Sequence, residues 1–174
     1  MNYRMQLAAS FAEVDPVAWD ALVAASPRPT PFMQHAFLRL AEQTESAGPQ
    51  TGWTAWPLLL FTEANDLVGA AALYAKAHSY GEYVFDWAWA RAYEQAGLNY
   101  FPKWLVASPF SPVPGSRLLG VSADARHALA VALSQLTKES GLSSCHILFA
   151  HESDQEALES TGWLIRKGVQ FHWF

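Results

Sequence analysis

The chain carries one cysteine, Cys145, in 174 residues. A single thiol excludes an internal disulfide and a cysteine-based zinc site. Its setting, SCHILFA, is apolar, which predicts an inert core thiol and fits a cytoplasmic compartment. Long apolar runs are missing as well. The longest, such as WPLLLF, are far too short to span a membrane. The N-terminus, MNYRMQLAAS, has no continuous apolar region behind its charge, so no signal peptide is expected. Basic residues are scarce: 11 Lys and Arg stand against 16 Asp and Glu, a net charge of −5. With no basic stripe or run, nucleic-acid binding is disfavoured on electrostatic grounds. Six histidines show no metal-ligand spacing, since none pairs with another at i, i+4, and no metal site is expected. Ser79 and Ser108 lack an adjacent His and Asp, which leaves a nucleophilic triad unsupported.

Aromatic and apolar residues are abundant. Aromatics make up 14% of the chain, with eight tryptophans, and hydrophobic residues 51%. That composition predicts a globular chain with a large core or a concave aromatic site. The length suits one domain, residues 1–174. Met5 to Ala9 is a plausible first strand. Asp15-Pro16 gives a cap and a first-position proline for a helix over 16–25. SPRPTP is a rigid linker, and Phe32 to Glu45 has helical periodicity. Trp53 to Thr62 and Leu67 to Ala77 read as the two strands of a hairpin. Trp87 to Ala96 reads as a short helix and Lys103 to Ser108 as a strand. Ser122 to Ser140 is the strongest helix, with Ala128, Leu129, Ala132, Leu133 and Leu136 as its stripe and Gly141 as its C-cap. Cys145 to Ala150 reads as a buried strand. A helix over 153–160 is expected to be capped by Ser153 or Asp154, and Trp163 to Phe174 alternates as a final strand or hairpin. The order is that of a mixed-sheet α/β protein.

The stretches HSYGEYVFDWAWARAY (78–93), YFPKWLVASPFSPVPGSRLL (100–119) and KGVQFHWF (167–174) resemble the FemAB-like family of the GNAT (N-acetyltransferase) superfamily. The resemblance covers essentially the whole chain. Departures are local: Tyr100-Phe101 stands where two tyrosines are usual, Trp104 replaces an aliphatic residue, and Ser108 and Ser111 replace valine and threonine. The resemblance implies a GNAT-like mixed β-sheet flanked by helices. It implies a bacterial, cytoplasmic acyltransferase domain, linked to peptidoglycan biosynthesis, that moves an acyl or aminoacyl group to an amine. The donor it implies is acyl-CoA or another acyl donor such as a charged tRNA. The acceptor it implies is a small molecule or a cell-wall precursor. Family members typically run about twice as far, so the chain resembles the first of two lobes. A lone lobe would expose an edge strand at its C-terminal end, and a homodimer is the expectation. The alternative is a non-catalytic lobe that binds substrate or scaffolds a partner lobe.

The site residues follow from the same motifs. Glu82, Val84 and Asp86 would share one face of an extended segment, with Tyr83, Phe85 and Trp87 on the other. Two acids at that spacing suit the orientation or deprotonation of an amine. They equally suit capping of the helix that begins near Trp87. Tyr83, Trp87, Trp89, Lys103 and His172 are the candidate substrate contacts, the aromatics otherwise serving as core. Gly115, Ser116 and Arg117 occupy the place where GNAT enzymes hold the donor's pyrophosphate at a helix N-terminus. Prolines 112 and 114 remove two backbone donors there, and the bland reading is a rigid turn.

Overall fold

The computed structural model describes residues 2–84, 86–171 and 173. His172 and Phe85, both named above, lie outside the described residues.

The first helix, α1 (Pro16–Ala25), forms as its sequence predicts. The Asp15 side chain accepts from the Val17 and Ala18 amides, Pro16 opens the helix, and Trp19, Leu22 and Val23 are buried. The second expected helix splits. Pro31–Met33 makes a separate 3₁₀ turn, Gln34 is extended, and α2 runs only from His35 to Gln43. The Asp20 carboxylate takes the first amide of α2, His35 N, at 2.7 Å.

The predicted hairpin exists, but each of its strands is broken once. The pieces are β2 (Trp53–Ala55), β3 (Leu58–Phe61), β4 (Leu67–Ala71) and β5 (Leu73–Lys76). The register is continuous across the break: Trp53 faces Lys76, Ala55 faces Tyr74, Leu58 faces Ala71 and Leu60 faces Gly69. Pro57 interrupts the ladder because it has no N–H. The two ends of the hairpin then enter different four-stranded sheets. With β1 (Arg4–Leu7), β6 (Lys103–Val106), β7 (Leu119–Gly120) and β8 (Cys145–Ile147), the orders are β1-β3-β4-β7 and β2-β5-β6-β8. Only the β6–β8 pairing is parallel among these ladders, which makes the architecture mixed.

Three helices complete the fold: α3 (Trp87–Gln95), α4 (Ala123–Ser140) and α5 (Glu152–Ser160). Ser122 caps α4 by accepting from Ala125 N, and Gly141 ends it at φ 68°, the left-handed conformation that suits glycine. The cap of α5 is neither Ser153 nor Asp154. His151 takes that place and accepts from Ser153 N. The Asp154 carboxylate, at the third position, completes the capping box by accepting from His151 N at 3.3 Å, and it also takes the backbone amides of Arg117 and Leu118, at 2.7 and 3.4 Å.

Strand alternation sorts the apolar side chains into two cores. Trp53, Tyr74 and Leu105 pack with Trp19, Leu22 and Leu38 of α1 and α2. Leu73, Trp104 and Val106 pack with Leu129, Leu133 and Leu158 of α4 and α5. The expected final strand is absent: residues 163–171 and 173 form no strand, and Phe171 and Trp173 are 98% and 100% exposed. The described part of this segment pairs with none of the edge strands β1, β2, β7 and β8.

Candidate functional site

The site begins as an electrostatic problem set by the sheet. Lys76 on β5 and Lys103 on β6 are directly opposed, and both are completely buried. Like charges so placed repel, and neither can stay charged without partners. The segment between β5 and α3 supplies them. It turns through Gly81 (φ 81°) and Tyr83 (φ 58°), so it is not extended, and it lays Ser79, Glu82 and Asp86 over the lysines. Lys103 Nζ donates to Glu82 Oε2 at 2.9 Å, to Asp86 Oδ2 at 2.5 Å and to Ser79 Oγ at 3.1 Å. Lys76 Nζ donates to the Tyr80 carbonyl at 3.2 Å and sits 3.9 Å from the centre of the Trp53 ring. Gly81 is required at its turn, since a Cβ there would stand 2.4 Å from the Phe110 ring.

The cluster extends to β8. Tyr100 donates its hydroxyl proton to Asp86 Oδ2 at 2.6 Å. The Tyr100 hydroxyl oxygen lies 3.4 Å from His146 Nε2, which is 2.9 Å from Ser144 Oγ. Burial pushes the Glu82 carboxyl above its ordinary value, against the pull of Lys103. Burial pushes Asp86 the same way, but hydrogen bonds from Lys103, Ser79 and Tyr100 outweigh it and hold Asp86 below its ordinary value. Burial, opposed by Glu82, lowers Lys76 to about 8. Burial, helped by Lys103, lowers His146 to about 4.

This arrangement inverts the expected division of labour along GEYVFDWAW. The acids face inward, with Glu82 3% and Asp86 5% exposed, and the aromatics face outward. Tyr80, Tyr83, Trp87 and Trp89 are 66%, 55%, 37% and 53% exposed. The inversion follows from charge: two buried lysines draw the acids in, and the turn at Gly81 and Tyr83 throws the rings out. Asp86 stands at the N-cap position of α3 but makes no capping bond, its carboxylate being taken by Lys103 and Tyr100. No residue of α3 is buried. Tyr80 packs edge-on to Trp87 at 5.3 Å and to His78 at 5.2 Å, so these three rings form one cluster, with Tyr83 and Trp89 exposed on the same segment.

The other candidate residues lie elsewhere or underneath. Lys103 is among the fully buried side chains and makes no surface contact of its own. Gly115, Ser116 and Arg117 are not at a helix N-terminus, because β7 stands between them and α4. Their amides are already engaged: Gly115 N with the Phe149 carbonyl, Ser116 N with the Arg28 carbonyl and Arg117 N with Asp154. Ser116 Oγ accepts from Arg28 N at 3.1 Å, and the Arg117 side chain, 1% exposed, donates to the Val113 carbonyl at 2.7 Å. This loop does not fit the pyrophosphate of an acyl-CoA, which needs free amides. Sequence reasoning missed Lys76, Tyr100 and His146. A signal was present for one of them: a lysine ending the apolar run LYAK (73–76) must bury its stem and find a partner for its charge. Cys145, half-buried, has its thiol pushed up to about 12 by burial, which agrees with an inert thiol. No group of three or more His, Cys, Asp or Glu side chains among the described residues is placed to hold a metal ion. No helix among them is long and apolar enough to cross a membrane.

A search of curated proteins finds no match. Two solved structures are similar over almost their whole length. The aminoglycoside antibiotic 6'-N-acetyltransferase AAC(6')-Ih from Acinetobacter baumannii is 9% identical, with a TM-score of 0.53 over 99% of this chain and 98% of that one. An isoleucine-to-methionine mutant of TTHA1254 from Thermus thermophilus is 16% identical, with a TM-score of 0.50 over 100% of this chain and 97% of that one. At such identities the likeness establishes the fold, a GNAT-like mixed sheet flanked by helices. The family model described as peptidoglycan biosynthesis/recognition matches residues 10–174. The chain belongs to the FemAB-like family, on an N-acetyltransferase-like fold.

Proposed function

We propose that the chain is an acyltransferase-type lobe that serves acyl or aminoacyl transfer to the amine of a peptidoglycan precursor, and that its own part is to bind the acceptor. The observation that carries this reading is the outward aromatic patch Tyr80, Tyr83, Trp87 and Trp89 on a segment anchored from below by buried charge. Exposed rings on an anchored segment are a ready surface for the sugar and peptide faces of such a precursor, because each ring adds contact area at little entropic cost. In this reading Glu82 and Asp86 act as anchors. They position the segment, and they do not touch the acceptor.

A second reading, a non-catalytic lobe that recognises the same substrate, is favoured by the pairing of both acids with the buried Lys103. One experiment separates the two. Soluble peptidoglycan precursors carrying a free amine are titrated against the protein while tryptophan fluorescence is followed, and the same mixtures are assayed for transfer from activated acyl donors. Binding with transfer supports the first reading, and binding without transfer supports the second. Affinity unchanged in a Trp87→Ala, Trp89→Ala variant overturns both.

A further inference from the structure

The turn over residues 108–111 contains a side chain that its backbone does not favour. Ser111 N donates to the Ser108 carbonyl at 3.3 Å across it, Pro109 takes the second position, and Phe110 takes the third at φ 53°. A proline followed by a positive φ is the arrangement that calls for glycine or asparagine, and a bulky residue there is strained. Such strain persists only where the surroundings hold it, and it clusters at functional sites. Here the surroundings belong to the aromatic segment. The Phe110 ring lies against Gly81 on the side where a side chain would begin, since a Cβ would stand 2.4 Å from its Cε1. It also packs on Trp53, with ring centres 5.6 Å apart. Trp53 carries the Lys76 amine over its face at 3.9 Å, and Lys76 donates to the Tyr80 carbonyl. Phe110 thus reaches the segment twice, directly at Gly81 and through Trp53 and Lys76 at Tyr80. It is nevertheless among the exposed large apolar residues.

We propose that Phe110 is a positioning residue of the acceptor surface: its ring, presented by a strained turn, sets the turn at Gly81 and with it the placement of Tyr80 and Trp87. This role rests on the acceptor-binding reading above, and it brings the loop 108–114 into that site. The buried lysines hold the segment at Ser79, Glu82, Asp86 and the Tyr80 carbonyl. None of those bonds is at Gly81, where a φ of 81° turns the chain, and it is there that Phe110 bears. Tyr80 precedes the turn and packs edge-on to Trp87, so a shift at Gly81 moves both rings. A ring pressed on a glycine turn selects one arrangement of the segment in advance of the ligand, and that lowers the ordering which binding must supply. Glycine at position 110 would relieve its own turn and release the segment. Phenylalanine stands there against its backbone preference because of what it touches.

The test compares Phe110→Gly, which suits the left-handed turn, with Phe110→Tyr, which keeps the ring. Amide hydrogen exchange on the full chain needs no ligand. In Phe110→Gly the amides of residues 79–84 should exchange at least about tenfold faster than in wild type while those of β3 and β4 stay unchanged, and Phe110→Tyr should behave as wild type. Equal protection of residues 79–84 in wild type and Phe110→Gly overturns the proposal. So does a loss of protection spread evenly over the chain, which would mark Phe110 as a general packing residue. Titration with a soluble peptidoglycan precursor carrying a free amine gives the second readout. Affinity should fall at least about fivefold in Phe110→Gly and return in Phe110→Tyr. Faster exchange with unchanged affinity overturns the proposal and leaves the aromatic-patch reading standing. A precursor that fails to bind wild type overturns the acceptor-binding reading, and with it the role of Phe110 at an acceptor surface.

Discussion

The hairpin keeps one register from the Trp53–Lys76 pair to the Leu60–Gly69 pair, before the shift at Phe61, yet its two ends solve opposite problems. At the β3–β4 end, Leu58, Leu59 and Leu60 face Ala71, Ala70 and Gly69, and large side chains pack over small ones. Burial there needs only shape. At the β2–β5 end, Trp53 faces Lys76, which faces Lys103 across the next ladder. Burial there needs charge neutralisation, and the chain leaves the sheet to find it. The lesson is that the apolar end is satisfied by packing against helices and neighbouring strands, whereas the charged end needs the polar groups of residues 79–86. A lysine pair at the ends of two central strands thus dictates the path of a loop, and the loop's path dictates which rings reach solvent.

Breaking the charged end should have the largest effect. Lys103→Met leaves Glu82 and Asp86 buried without a cation and should cost about 3–5 kcal/mol in denaturant unfolding, with Trp87 and Trp89 fluorescence changing before the global transition. At the apolar end, Leu58→Ala should cost about 3 kcal/mol through lost contacts and a cavity, with no change in those tryptophans beforehand. A more delicate test uses pH. The folded state holds Lys76 near 8, below the ordinary 10.5. Its contribution to stability is therefore present above about 10.5 and lost as pH falls through about 8. Unfolding of wild type measured against Lys76→Met should show the wild type gaining relative stability between pH 8 and 10.5, and a flat difference would mean that the amine is not desolvated. The smallest expected effect lies outside the comparison. Trp89→Ala should change stability by less than about 0.5 kcal/mol, because the ring is half exposed on a helix with no buried residue.

The same contrast explains what the sequence disclosed. Helix α4 was legible because its cap, stripe and C-terminal glycine agree, and Leu129, Leu133 and Leu136 are buried as their spacing requires. The hairpin was legible from its β-formers. The splitting of its strands was not, since that depends on where two sheets diverge around Pro57. At the site, Glu82 and Asp86 stood out by composition, but their inward direction depends on Lys76 and Lys103, which lie 27 positions apart and meet only through the β5–β6 ladder. Period-two reasoning put Val84 with the acids, whereas the turn at Gly81 and Tyr83 leaves Val84 37% exposed and both acids buried. His146 carries no local signal, because a parallel strand that returns after α4 brings it to Tyr100, and Tyr100 meets Asp86 only where the chain folds back from α3 into β6. The final segment misled for a simpler reason: alternation satisfies a strand's period, yet the described residues 163–171 and 173 pair with no strand.

The central claim is that Asp86 and Lys103 form an internal pair that holds the aromatic segment in place. A double-mutant cycle on unfolding free energy tests it most directly, with Asp86→Asn, Lys103→Met and the two combined. The pair sits in one network, so the account predicts a coupling of at least about 2 kcal/mol and a double variant more stable than Lys103→Met alone. Additive effects within about 0.5 kcal/mol would show that the two side chains do not support each other and would contradict the account.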